Sequence, residues 1–150
     1  MFAHNGAIDD FRHTAMRPLR DALSDDSYAG LLGTTDSETI FAVLLDRLSE
    51  DPASLPRALA EAIRYVSAVC ADLGVRATLN LAVTDGKAMA FTRYSTEGPG
   101  NSLYFIEEGE ALPEAVIVTS ERLDNDKGWH AVPDRHLLTV ERDGASLHPL

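Results

Sequence analysis

Two short polar strings have residue types suited to chemistry. The triplet His4-Asn5-Gly6 puts an imidazole, a carboxamide and a residue without a side chain in a row, and the glycine lets other groups come close to its backbone. Further along, "TTDSE" places Asp36 between Thr35 and Glu38. Those two flanking residues have the spacing of a capping box, in which the hydroxyl binds a backbone N–H three residues on and the carboxyl reaches back. This leaves Asp36 and Ser37 in a first helical turn, where a carboxylate gains about 0.3–1 kcal/mol from the helix dipole. Spacing alone leaves Asp36 open between a structural role and a ligand-holding one.

Other candidate groups carry less. Cys70 falls on the apolar stripe of a helix, where a thiol behaves as an inert small hydrophobe, so it is rejected as a nucleophile. A single cysteine also excludes an internal disulfide and a multi-cysteine zinc site. His130 and His136 sit on either side of Pro133 and the remaining histidines are scattered; no metal site is expected. The stretch "ERLDNDKGWHAVPD" lacks the ordered ligands of a calcium loop and reads as a turn-rich loop anchored by Trp129. Asn80 and Arg93 share a hairpin face and line a pocket, or Arg93 forms a structural ion pair, because an arginine in a covered sheet needs a partner.

The elements that must position these groups follow from periodicity. Asp9 to Leu23 reads as a helix with Phe11, Ala15 and Leu19 on one side, although Pro18 argues against it. "GTTDSETIFAVLLDRLSED" is a stronger helix with an apolar stripe of Ile40, Phe41, Leu44, Leu45 and Leu48, ending at Pro52. A further helix from about Ser54 to Leu73 carries Leu55, Leu59, Ile63, Val66, Val69, Cys70 and Leu73 at helical spacing, with Gly74 as its stop.

From Arg76 the period becomes extended. "ATLNLAVTDGKAMAFTRYS" reads as two strands joined by a two-residue turn at Asp85-Gly86, pairing Thr84 with Lys87, Leu81 with Ala90 and Asn80 with Phe91. Leu79, Leu81, Val83, Ala88 and Ala90 then share one face; Thr78, Asn80, Ala82, Met89, Phe91 and Arg93 share the other. Both faces are largely apolar, so helices are expected over one and a second sheet over the other. Further strands are expected at Ser102 to Ile106, Ala115 to Ser120, His136 to Glu141 and Ser146 to His148. The class is α+β, helices first and then an antiparallel meander.

Composition narrows the partners. With 150 residues, 45% hydrophobic, the chain is one domain with a substantial core. A formal charge of -11 repels nucleic acid and anionic membrane surfaces. No run approaches a spanning helix and no basic-then-apolar leader is read at the start, so a cytoplasmic location is expected.

"FAHNG", then "GTTDSE" at a helix start, then a hairpin meander together resemble the class II glutamine amidotransferases of the N-terminal-nucleophile hydrolase superfamily. The resemblance is nearest to the small stand-alone members, including the ergothioneine-pathway enzyme that removes a γ-glutamyl group. It extends through "SLYF" and "VIVTSERLDNDKGWHAVPDRHLLTVE", nearly the whole chain. It implies αββα layers. It also implies an oxyanion hole made by the Asn5 side-chain amide and the Gly6 backbone N–H, and an Asp36 carboxylate that holds the α-ammonium of a glutamyl substrate. Each preorganised oxyanion donor contributes about 2.7–4 kcal/mol to such a transition state, and a charge-assisted hydrogen bond suits an acid to an ammonium.

The chain departs from that pattern in two respects. The family's nucleophile is a cysteine at the mature N-terminus, followed by an arginine that grips the substrate α-carboxylate, and neither segment is read here. Bulky Phe2 predicts that Met1 is retained. The expectation is one amidotransferase-type domain over residues 1–150, incomplete at its N-terminus, inactive alone, and prone to self-associate through exposed sheet edges. The intact protein is expected to hydrolyse a γ-glutamyl amide through a thiol ester, with glutamine or a γ-glutamyl conjugate as substrate and no cofactor. The competing reading is a non-catalytic binding domain in which "HNG" and "TTDSE" are a turn and a cap.

Overall fold

The computed structural model describes residues 1–50, 54–110 and 112–150; the helix end expected at Pro52 lies outside them. The chain opens with strand β1 (Phe2–Ile8), followed by helices α1 (Met16–Asp21), α2 (Asp25–Ala29), α3 (Asp36–Glu50) and α4 (Leu55–Leu73). Strands β2 (Ala77–Thr84), β3 (Met89–Arg93), β4 (Tyr104–Gly109), β5 (Leu112–Thr119), β6 (His130–Ala131), β7 (His136–Glu141) and β8 (Gly144–Pro149) complete it. All pairings are antiparallel, in a five-stranded sheet ordered β1-β2-β3-β7-β8 and a three-stranded sheet ordered β5-β4-β6.

The layers follow from alternation. Phe2, His4, Gly6 and Ile8 of β1 lie opposite Val83, Leu81, Leu79 and Ala77 of β2, and this apolar face packs under the helices with Ile40, Val43, Leu44, Leu59, Ile63 and Val66. The opposite face, with Met89, Phe91, Leu138 and Val140, packs against Leu103, Phe105, Val116 and Val118 of the smaller sheet side. Helices on one face and a sheet on the other are as the hairpin pattern requires.

Helix α4 starts and stops where local chemistry says it should. Ser54 Oγ accepts the Arg57 N–H, and Gly74 closes the helix at φ 65°, a left-handed conformation that costs glycine little. In α3 the buried stripe is rotated from the one expected. Ile40, Ala42, Val43 and Leu44 are buried, while Phe41 and Leu45 are 37% and 42% exposed; Phe41 instead stacks on Phe2 with ring centroids 4.9 Å apart.

Two expectations need correction. Asp9 to Ala15 is a series of turns and only Met16–Asp21 is helical. Asp10 takes φ 46°, and the Thr14 hydroxyl donates to the Asp9 and Asp10 carbonyls, so side-chain bonding replaces the helical ladder. Pro18 then falls in the first turn of α1, where its missing N–H costs nothing. The β2–β3 hairpin pairs Thr84 with Met89 rather than Lys87. Asp85 Oδ1 accepts the Lys87 and Ala88 N–H groups, and the Thr84 hydroxyl donates to Ala88 O, which stabilises a wider loop. A slip of two residues leaves every side chain on its expected face.

Candidate active site

Strand β1 is an edge strand, and its hydrogen-bonding parity decides what it offers. Met1 and Thr84 exchange both backbone bonds, at 2.8 and 3.0 Å, and Asp9 N–H donates to Arg76 O at 2.9 Å. Odd-numbered residues of β1 therefore bond to β2, and the N–H groups of His4, Gly6 and Ile8 point out over the open edge. Ile8 N–H donates to Asp36 Oδ2 at 2.9 Å, as that parity requires. The Gly6 N–H lies two residues back along the same edge, about 6.8 Å away at 3.4 Å per residue.

Gly6 is glycine for a steric reason. A Cβ there would sit 1.9 Å from Thr78 O and 2.8 Å from His4 Nε2. That imidazole bridges sheet and helix: Nε2–H donates to Thr78 O at 3.0 Å, and Nδ1 lies 2.9 Å from the Ser37 hydroxyl oxygen, which itself donates to Asp36 Oδ1 at 3.3 Å.

Asn5 points to the opposite face, and its orientation follows from its neighbours. Asn101 Nδ2 lies 3.2 Å from Asn5 O and 3.1 Å from Asn5 Oδ1. The backbone carbonyl can only accept, so the Asn101 atom is the nitrogen and the Asn5 atom facing it is the oxygen. Asn5 Nδ2 is turned the other way and has no partner among the described residues. Beside it a cavity of about 210 Å³ opens between the sheets, lined by Asn5, Asn80, Phe91, Leu103, Val118 and Ser120 among others.

Asp36 stands apart from that cavity. It lines a separate depression of about 310 Å³ with Asp10, Arg12, His13 and Thr35, and its Oδ1 accepts the Ser37 N–H at 2.7 Å. The expected capping box is half formed. Thr35 Oγ1 accepts the Glu38 N–H at 3.2 Å, but Glu38 reaches beyond Thr35 to accept the Leu32 and Gly33 N–H groups at 2.7 and 2.8 Å. Asn5 and Gly6 are thus adjacent on β1, and Asp36 meets the same edge at Ile8.

Asn80 lines the cavity as expected and also donates to Asn101 O and Ser102 O at 3.0 and 3.2 Å. Arg93 forms neither expected arrangement: its guanidinium donates to Asn101 O and Val132 O at 3.1 and 2.6 Å. Asn101 had no signal in the sequence, because its partner is 96 residues away. Cys70 is fully buried, and burial pushes its thiol up to about 11. Trp129 Nε1 donates to Asp124 Oδ1 at 2.7 Å, anchoring its loop. Among the described residues no cluster of metal-ligating side chains forms and no helix is long and apolar enough to cross a membrane.

The family model for glutamine amidotransferases class-II matches residues 1–108; the chain belongs to that family. It is 28% identical to the probable glutamine amidotransferase DUG3 of Saccharomyces cerevisiae, over 99% of this chain and 52% of that protein. It is 31% identical to the gamma-glutamyl-hercynylcysteine sulfoxide hydrolase of Mycobacterium tuberculosis, over 100% of this chain and 51% of that protein. The chain spans about half the length of these curated relatives. Among solved structures, a glutamine aminotransferase class-II domain protein from Silicibacter pomeroyi superposes with a TM-score of 0.80 at 29% identity, covering 99% of this chain and 66% of that one.

Proposed function

We propose that the protein hydrolyses a γ-glutamyl amide, with Asn5 Nδ2 and the Gly6 N–H as oxyanion donors and Asp36 as the anchor for the substrate α-ammonium. The observation that carries this reading is the Gly6 N–H, left out of the β1–β2 ladder beside an Asn5 amide whose nitrogen is turned away from Asn101. In the reaction a thiolate attacks the γ-carbonyl carbon, and the carbonyl oxygen takes up the negative charge that the two donors stabilise. Collapse expels the amine with a proton and leaves a thiol ester. Water then releases glutamate and restores the thiol.

Cys70 does not supply that thiol, since its burial and raised pKa oppose the thiolate. In this reading the nucleophile belongs to the protein outside these 150 residues, which fits relatives about twice as long. A catalytic thiol also suits the reducing cytoplasm. The spacing along β1 supports Asp36 as anchor: the Gly6 and Ile8 nitrogens are separated by about 6.8 Å, a distance comparable with an extended glutamyl side chain.

The test is glutamate release by the full-length protein from two donors, glutamine and γ-glutamyl-hercynylcysteine sulfoxide, the latter taken from the name of the mycobacterial relative. Turnover of either supports the reading, and the ratio of kcat/KM values identifies the leaving group. A folded full-length protein that releases glutamate from neither overturns it.

A further inference from the structure

We infer that Asn101 is a positioning residue that sets the polarity of the Asn5 carboxamide, and that Asn80 and Arg93 hold it in place; this rests on the proposed role of Asn5 as an oxyanion donor. A carboxamide is nearly symmetric in shape, so packing alone does not decide which end faces a reacting oxygen. One orientation offers a donor and the other an acceptor that would repel the developing charge. The choice needs a neighbour of fixed polarity. Asn101 Nδ2 is such a neighbour, because it lies against both Asn5 O and Asn5 Oδ1, and a backbone carbonyl admits only a donor.

The loop that carries Asn101 is held from below. Its carbonyl accepts from Asn80 Nδ2 and Arg93 Nε, and Arg93 extends to Val132 O. Asn80 is itself fixed by its contacts: Nδ2 meets two backbone carbonyls, and Oδ1 accepts the Tyr94 N–H at 3.3 Å. Gly100 lets the loop lie close against Ser95, since a Cβ there would approach Ser95 Cβ at 3.0 Å. A chain of donors with only one consistent polarity thus runs from the sheet core to Asn5. It also accounts for Arg93, an arginine of the hairpin that has no carboxylate partner among the described residues.

The experiment compares Asn101→Ala with Asn101→Asp in the full-length protein. Alanine removes the constraint and leaves Asn5 free to turn. Aspartate keeps the shape but offers only acceptors, which draws Asn5 Nδ2 round to face it and presents Asn5 Oδ1 to the substrate oxygen. The expected order of kcat is wild type, then Asn101→Ala, then Asn101→Asp, with the aspartate variant lowered by roughly 10²–10³-fold, the effect of losing one oxyanion donor. KM should stay within a few-fold, because ground-state binding does not use the donor. Aspartate equal to or better than alanine, or a loss confined to KM, overturns the inference while leaving the functional reading intact. A wild-type protein inactive on every γ-glutamyl amide overturns both. If Asn101→Asp fails to fold, side-chain amide hydrogen exchange in the wild-type protein decides: the Asn101 amide should exchange more slowly than the Asn5 amide, and the reverse order overturns the inference.

Discussion

Asp36 Oδ2 accepts the Ile8 N–H at 2.9 Å while Oδ1 accepts the Ser37 N–H at 2.7 Å, so one carboxylate braces the open edge of β1 against the first turn of α3. The brace and the proposed ammonium anchor make separable demands on Asp36. An asparagine in its place would offer one acceptor to two backbone donors, leaving one of them facing an NH2 group at a cost of about 1–3 kcal/mol. Asp36→Asn is therefore expected to lower stability measurably and, assayed well below its Tm, to lower kcat/KM at least tenfold, since a hydrogen bond to a charged group is worth about 1.5–3 kcal/mol. Reduced Tm with unchanged kcat/KM per folded molecule would make Asp36 a brace only.

Gly6 makes the tightest backbone contact in the site. A methyl group there would lie 1.9 Å from Thr78 O, and that carbonyl belongs to the paired strand, so it has nowhere to turn. Gly6→Ala should force β1 off β2, destabilise the protein by about 1–3 kcal/mol or more, and displace both proposed oxyanion donors. Chemical denaturation checks it. A change within about 0.5 kcal/mol, the usual range of harmless surface substitutions, would mean the strands do not approach so closely.

What the sequence disclosed depended on how local the cause was. Ser54, the apolar stripe of α4 and Gly74 act within a few residues, and the helix lies where they put it. The hairpin faces were legible because they depend only on parity, whereas the turn was not, because the Asp85 carboxylate captures two N–H groups that a tight turn would have left free. Phe11, Ala15 and Leu19 are all buried, yet their four-residue spacing came from successive turns as well as a helix. The strings containing Asn5, Gly6 and Asp36 were visible as motifs. The polarity of Asn5 was not, because it depends on Asn101 across 96 residues, and a lone asparagine in "EGPGNSL" carries no local mark.

Cys70 provides a pH test. Burial raises its thiol to about 11 from an ordinary value of 9.0, so the folded state holds the proton more tightly than the unfolded state. That contribution is fully present below about pH 9 and is lost as pH rises towards 11, at up to about 1.4 kcal/mol per pH unit. Cys70→Ala should flatten this alkaline limb and leave glutamate release unchanged at neutral pH. The native thiol should also resist iodoacetamide until the protein is denatured. Rapid labelling of the folded protein, or loss of turnover on substitution, would contradict the assignment.

The most direct test of the account is the kcat of the full-length protein carrying Asn5→Ala. Asn5 is exposed on an edge strand, and its removal leaves the Gly6 N–H and the Asp36 carboxylate in place, so folding and substrate capture should survive. The account predicts a fall in kcat of roughly 10²–10³-fold, the measured worth of one oxyanion donor, with KM changed by no more than a few-fold. An Asn5→Ala protein that releases glutamate at the wild-type rate would contradict it.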